Sequence, residues 1–534
     1  MIRFTRLFTE LDRTTRTGEK VNALVRYFRE TPTADAAWAL QFLTGQRLKR
    51  LINTKRLREW TAAEADLPLW IIEESYDAVG DLAETMALIL PQEGVTNDTP
   101  LHELIEHRLL PLRSLDEEAK RALVVRTWRE LDRTQRLVWN KMMTGAFRIG
   151  VARTLVIRAM AQAAGVSTAV MTHRMMGPWR ADAARYEAVM RSEITRHDPA
   201  QPYPFFLAHQ LGEPLESLGE PGAWRAEWKW DGIRGQLIRR GGRTMIWTRG
   251  EELVTERYPE VIAAADDLPD GTVLDGELLA WEDKRPLPFA LLQRRIGRKE
   301  VQPGLFPEVP VVFMAYDLLE QNRDDLRRLS LHERSRRLKS VIEANIVDPG
   351  IRLSPEIAFT DWSQLMERHA EARERQVEGI MLKRRDSTYG VGRQRGPWWK
   401  WKVDPLTIDA VLTAAQRGHG RRAMLYTDFT FALRSGNDEL VTIAKASSGL
   451  TDREFREVDA FIRQHTVSRQ GPIRIIEPRL VFELGFEGVQ ESSRHKSGLA
   501  VRFPRMLRWR KDKTPGDINH LDDLRAMLPR ELRL

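Results

Sequence analysis

The hydrophobic periodicity of this chain changes at one place, and no single architecture accommodates both sides of the change. The stretch His197-Asp198-Pro199-Ala200-Gln201-Pro202-Tyr203-Pro204 is too rich in proline to continue a helix and reads as a linker. Before it, apolar residues recur three and four apart, as in Arg26-Tyr27-Phe28 and Trp38-Ala39-Leu40-Gln41-Phe42-Leu43, the spacing of one helical face. The run Asp81–Leu90 has few β-branched residues and stops before Pro91. Leu137–Ala164 continues the helical pattern around a break at Phe147-Arg148-Ile149-Gly150. After the linker come short β-like runs, Thr272-Val273-Leu274 and Val309-Pro310-Val311-Val312-Phe313, with helical pieces at Leu331–Ala344 and Trp362–Arg375. Val403-Asp404-Pro405 marks a second boundary, beyond which Asp409–Ala414, Ala423–Leu433 and Leu440–Ala444 read as strands. At 534 residues the chain exceeds what one hydrophobic core supports. The expected architecture is therefore multidomain α+β, with an all-α region over 1–198, a mixed α/β region over 205–403 and a β-rich region over 404–534.

Composition narrows the chemistry. The chain has no cysteine, which excludes disulfides, thiolate nucleophiles and Cys-ligated zinc. A formal net charge of +8 favours a polyanionic partner such as nucleic acid. The start, Met1-Ile2-Arg3-Phe4-Thr5-Arg6, leads into no apolar signal core, and no apolar run is long enough to cross a bilayer. The expected location is the cytoplasm, in association with the nucleoid.

The most informative segment is Ala226-Glu227-Trp228-Lys229-Trp230-Asp231-Gly232-Ile233-Arg234. Read as a strand, it alternates faces: Trp228 and Trp230 point to a core, while Glu227, Lys229 and Asp231 share a cavity. A lysine attacks a phosphoanhydride only when deprotonated, and its ordinary pKa is about 10.4. Burial and neighbouring cations lower that value; carboxylates alone would raise it, so bound metal or further cations must offset them. The bland alternative is a surface strand whose Lys and Glu are merely solvated.

Further short motifs follow in order. They are Thr248-Arg249-Gly250, Leu274-Asp275-Gly276-Glu277, Ala315-Tyr316-Asp317-Leu318, Val377-Glu378-Gly379-Ile380-Met381-Leu382-Lys383 and Trp399-Lys400-Trp401-Lys402. Last comes Arg502-Phe503-Pro504-Arg505, continuing to Arg510-Lys511-Asp512-Lys513. With Lys229–Arg234 they resemble the ordered motifs of the covalent nucleotidyltransferase superfamily, specifically bacterial three-domain ATP-dependent DNA ligases. The resemblance implies a helical DNA-binding domain, a central nucleotidyltransferase (ATP-grasp-like adenylation) domain and a C-terminal OB-fold barrel. Position by position, it makes Lys229 the residue that carries AMP. Glu227 would read the adenine amino edge, Tyr316 would stack on the ring, and Arg234 and Glu277 would hold the ribose. Arg249 and Arg395 would bind phosphate, Lys400 and Lys402 would contact the α-phosphate, and Glu378, with Glu277, would hold Mg²⁺. Tyr316 as a plain core aromatic and Glu378 as a surface ion pair are the alternatives.

The flanks bear on the substrate. Asn140-Lys141-Met142-Met143-Thr144-Gly145-Ala146-Phe147-Arg148-Ile149-Gly150-Val151 resembles the N-terminal DNA-binding domain of replicative-type ligases, with Lys141 and Arg148 as phosphate contacts. A buried helix–loop–helix with incidental charges is the alternative. Between Ser492 and Lys513, the cations Arg494, Lys496, Arg502, Arg505, Arg508, Arg510, Lys511 and Lys513 face Asp512 alone. Phe503, Leu507 and Trp509 interleave with them, the pattern of an ordered surface rather than a solvated tail. The resemblance has this segment, Arg502 and Arg505 included, close over the ATP pyrophosphate and then release so that the barrel engages DNA, with Val403-Asp404-Pro405 as the hinge.

The function so implied is ATP-dependent sealing of 5′-phosphate/3′-hydroxyl nicks in duplex DNA through lysyl-AMP and DNA-adenylate, by a monomer serving repair or recombination, where a helicase or nuclease would be its partner. An RNA ligase or capping enzyme lacks the N-terminal domain. An NAD-dependent ligase carries a Cys-ligated zinc module that this chain cannot build. A non-enzymatic DNA-binding protein would have no use for Lys229, Glu277, Glu378 and Lys400 together.

Overall fold

A computed structural model describes the chain except residues 47, 49–50, 93–95, 146, 148–149, 177–178, 192–200, 297–308, 347–349, 419–424, 437, 471–472, 493–494 and 530–534. Arg148 and Arg494 fall outside the described residues.

The region before the linker is helical. Asp81 caps Leu82–Ile89 by accepting from the Glu84 amide, which fixes the helix start where the sequence placed it. Asp132 and Gln135 form a capping box at the head of Arg133–Thr144. The next helix, Arg153–Ala164, resumes beyond the expected break. Their apolar faces meet in one core, where Phe147 stacks on Phe4 (5.4 Å between ring centroids) and touches Phe8 and Phe42. Arg136 is fully buried there, and its guanidinium donates to the carbonyls of Trp128, Leu90, Pro91 and Leu131, so the cation serves as a staple between loops.

The central region is built on two predominantly antiparallel sheets. One runs in the order Ile351–Leu353, Val311–Gln321, Thr272–Glu282, Ile233–Arg240, Arg243–Thr248, with only the Ile351–Leu353 edge parallel. The other runs Glu356–Ile357, Trp224–Trp228, Gly379–Arg384, Trp398–Lys402, His209–Gln210. Helices Pro259–Ala265 and Leu331–Asn345 cover the outer face of the first sheet through Val261, Ala264, Leu338 and Val341. Between the sheets an apolar cluster joins Trp224, Ala226, Trp228, Ile380 and Leu382 to Leu279, Val312 and Met314. Helix Trp362–Ala370 is shorter than its sequence pattern suggests, ending at Ala370.

The C-terminal region is strand-rich. Leu406–Arg417 is twelve residues long and pairs antiparallel with Tyr426–Arg434, Ile473–Ile476 and Val481–Phe486 at different points along its length. Such sharing, with bulges at Leu412/Ala414 and Gln416/Arg417, is how a sheet curls toward a barrel. Helix Asp452–Gln464, begun by a Thr451/Glu454 capping box, follows the third strand, Leu440–Ala446. It buries Phe455, Val458 and Ile462 against the barrel core. This strand–strand–strand–helix–strand order is that of the expected oligonucleotide-binding fold.

Candidate active site

The strand carrying the lysine ends earlier than its alternation suggests: it spans Trp224–Trp228, and the next begins at Ile233. Lys229 nevertheless keeps ladder bonds, its amide donating to the Gly379 carbonyl (2.8 Å) and its carbonyl accepting from the Glu378 amide (2.8 Å). The alternation holds: Trp228 and Trp230 enter the apolar cluster, and the Trp230 indole donates to Ser354 Oγ at 3.0 Å. Two glycines make the close packing possible. A Cβ at Gly232 would lie 2.3 Å from the Leu278 carbonyl oxygen. Gly379, at φ +133°, would put one 2.1 Å from the Trp401 carbonyl oxygen.

Lys229 Nζ donates to Glu378 Oε2, and Lys402 Nζ lies 3.4 Å from the same oxygen. Burial by itself would raise the Glu378 carboxyl, yet Lys229, Lys402 and a hydrogen bond with Asp231 hold it well below the usual carboxylate range. Lys400 precedes Lys402 on the same face of its strand, opposite Met381. Burial, reinforced by Lys229, Arg393 and Lys402, lowers the Lys400 ammonium from its ordinary value. Glu277 differs from Glu378: among the described residues no hydrogen bond or ion pair engages its carboxyl, and burial pushes it up to about 8 against the pull of Lys229 and Arg234.

The remaining expected residues lie as follows. Glu227 is buried, with Arg225 Nε donating to Oε1 at 2.6 Å and Lys383 Nζ to Oε2 at 2.7 Å. Arg234 forms a fork on Asp275, at 3.1 and 2.7 Å, and Tyr389 OH donates to the same carboxylate at 2.7 Å. Tyr316 is 9% exposed, with Lys383 Nζ 4.4 Å and the Arg234 guanidinium 5.8 Å from its ring centroid. Arg249 is exposed, and its amide donates to the Arg234 carbonyl at 2.8 Å. Arg395 is held at the surface by Glu213, and Arg393, two residues before it, contributes to lowering the Lys400 ammonium.

Lys141 is 8% exposed, with its ammonium 2.6 Å from Asp81 Oδ2; its charge serves the helical core rather than a DNA-facing surface. Arg505 is exposed on its strand, and Arg502 lies against the Phe503 ring at 5.3 Å. Sequence spacing does not single out Lys383, Asp275, Tyr389 or Arg393. The first two stand inside the quoted motifs, so the signal was present; that they would form the buried partners of Glu227 and Arg234 was not.

Residues 1–161 correspond to the family described as DNA ligase N terminus, 206–402 to the ATP dependent DNA ligase domain, and 422–513 to the ATP dependent DNA ligase C terminal region. A probable DNA ligase of Koribacter versatilis (strain Ellin345) is 30% identical over 549 residues, spanning 95% of this chain and 93% of its own. DNA ligase 1 of Korarchaeum cryptofilum (strain OPF8) is 28% identical, spanning 96% of each. The solved chain Pmar-Lig_PreS3 shares the fold, with a TM-score of 0.61 and 15% identity over 95% of this chain and 99% of that one. With a lysine seated among buried carboxylates and cations, and with all three family regions in order, the chain belongs to the ATP-dependent DNA ligases, enzymes that use ATP to seal nicks in DNA.

Proposed function

We propose that Lys229 is the nucleophile that carries AMP, and that the residues gathered around it divide the work of adenylylation. The observation that carries this reading is the placement of Lys229 Nζ on Glu378, beside Lys402 and within the field of Glu277 and Lys400. In the first step the deprotonated Nζ attacks the α-phosphorus of ATP. A P–N bond forms, the bond to the bridging oxygen of the β-phosphate breaks, and pyrophosphate leaves. Lys400 and Lys402 supply positive charge to the α-phosphate as charge builds on its oxygens. In the second step the 5′-phosphate of the nick displaces Lys229 from AMP; in the third the 3′-hydroxyl displaces AMP and closes the strand.

Adenosine recognition falls to Tyr316, whose ring lies beside Lys383, and to Glu227, which holds Lys383 in place; Arg234 and Glu277 face the ribose. Arg249, exposed at the end of its hairpin, is free to meet phosphate. Arg502 and Arg505 give the barrel its DNA-facing cations.

The donor set suits Mg²⁺. Glu378 and Asp231 share a hydrogen bond, and Glu277 is a buried carboxyl with its pKa pushed up, so the site carries acid that a cation would relieve. Among the described residues no three acidic side chains converge as a self-sufficient metal site. That fits an ion held by Glu378 and Glu277 with substrate phosphates completing its oxygen ligands. When bound, the ion supplies charge stabilisation at the phosphates.

We further assign domain limits of 1–198, 205–403 and 404–534, a monomer, a cytoplasmic setting and service in repair or recombination, with a helicase or nuclease as partner. No helix among the described residues is long and apolar enough to cross a membrane. Incubating the protein with α-labelled ATP and Mg²⁺ tests the nucleophile: covalent label is expected on the wild type and at least about a thousandfold less on Lys229→Ala. Equal labelling of the two sinks the assignment.

A further inference from the structure

The terminal basic segment is not a set of loose cations. Asp409, near the start of the long Leu406–Arg417 strand, is 8% exposed, and its carboxylate receives two of the three cations at the segment's end, Arg510 and Lys513. Arg510 Nη1 donates to Oδ2 at 3.1 Å and Lys513 Nζ to the same oxygen at 2.6 Å. The rest of the Arg510 fork is spent on Asp512, Nε at 2.9 Å and Nη2 at 2.7 Å. Asp409 itself is fixed by its backbone: its amide donates to Asn519 Oδ1 at 2.8 Å, and its carbonyl accepts from the Asn519 amide at 3.0 Å. Two cations thus face two carboxylates, and the group is close to neutral.

By contrast, other cations of the segment have looser partners. Arg508 lies 3.2 Å from Glu483 with 62% of its side chain exposed, and Lys511 pairs with Glu457 at 60% exposure. The Arg510 side chain is only 15% exposed. With Nε, Nη1 and Nη2 each bonded to a carboxylate oxygen, three of the five N–H donors are engaged, and a phosphate that takes the Nη1 edge must displace Asp409. Phosphate and carboxylate are interchangeable partners for such a fork.

We propose that Asp409 is the resident counter-ion of this segment, a positioning residue that holds Arg510 and Lys513 and competes for them with the pyrophosphate portion of ATP. The proposal rests on the reading that the segment meets that pyrophosphate. Displacing Asp409 costs part of the energy of ATP binding. After pyrophosphate leaves, the carboxylate recovers both cations, which favours release of the segment and opposes return of pyrophosphate to the enzyme-bound AMP.

The test uses the full chain. Self-adenylylation is followed over a range of ATP concentrations for wild type, Asp409→Asn and Arg510→Ala, alongside the pyrophosphate concentration needed to strip AMP from adenylylated enzyme. Removing the competitor is expected to lower KM for ATP about three- to tenfold in Asp409→Asn, as one exchanged ion pair warrants, with kcat changed less. The pyrophosphate concentration should fall by a similar factor. An unchanged or raised KM overturns the proposal, since a purely supportive role predicts weaker binding. Sealing of a pre-adenylylated nick reports general damage: a loss there as large as the change at ATP also overturns it. Should Asp409→Asn fail to fold, Asp409→Ser, smaller and still able to accept a hydrogen bond, carries the same expected fall and the same refutation. Arg510→Ala separates the two readings. If it leaves KM for ATP unchanged, the segment does not meet pyrophosphate; if it raises KM while Asp409→Asn does not lower it, the counter-ion role alone is wrong.

Discussion

The central site and the C-terminal basic segment are built from the same side chains, yet they use charge in opposite ways. In the central region ion pairs are buried: Lys383 with Glu227, both 2% exposed, and Arg334 with Asp317, both fully enclosed. Along the basic segment the pairs made by Arg508 and Lys511 stand mostly in solvent. A buried pair contributes little net stability when formed, because desolvation offsets attraction, but losing one partner strands a charge in a medium that cannot solvate it. A solvated pair is worth little either way. Burial therefore makes the central charges rigid and directional, whereas exposure leaves the peripheral ones free to exchange partners. Asp409 with Arg510 lies between these limits, which is where a reversible latch belongs.

The sharpest break of this comparison is Arg334→Ala. It should destabilise the central region by about 3–5 kcal/mol in denaturant unfolding followed by tryptophan fluorescence, because Asp317 would be left buried without its paired cation. A loss below about 1 kcal/mol would show that water reaches the pair, and the contrast with the periphery would collapse.

A smaller effect concerns Glu277. Its carboxyl, ordinarily near 4.5, is pushed up to about 8 by burial, so between those values the folded protein keeps a proton that the unfolded chain has released. Stability then falls as pH rises across that window. In protein free of divalent cations, Glu277→Gln should flatten the decline of Tm between about pH 5 and pH 8. Parallel Tm profiles for the two proteins would mean that the carboxyl titrates normally.

The smallest expected effect is that of Lys511→Ala. Its pair with Glu457 is exposed, so Tm should move by less than about 1 °C, and raising the salt concentration should erase even that. A shift of several degrees would place this pair in the class of the buried ones.

Much of this could be read from the chain. The Asp81 cap, the helices on either side of the break before Val151, and the two faces of the lysine segment all follow from local pattern, because helix and strand periods are properties of neighbouring residues. The motif order also placed Lys229, Glu277, Glu378, Lys400 and Lys402 in one site. Less legible was the end of the lysine strand at Trp228, since the turn depends on Gly232 passing the Leu278 carbonyl of another strand. Helix Asp452–Gln464 carries a local signal of its own in the Thr451/Glu454 capping box.

By itself the sequence determined the chemistry on offer: the motif lysines, carboxylates and arginines, and the absence of cysteine. It determined the local elements that carry them as well. Only the tertiary structure decided which charges meet. Arg393 bears on Lys400, Lys141 turns inward to Asp81, Lys383 sits against Tyr316, and Asp409 holds Arg510 from 101 residues away. The physical reason is that an ion pair's strength depends on distance and on the solvent excluded around it. Both quantities are set by strands and loops far apart in the chain, and no local pattern encodes them.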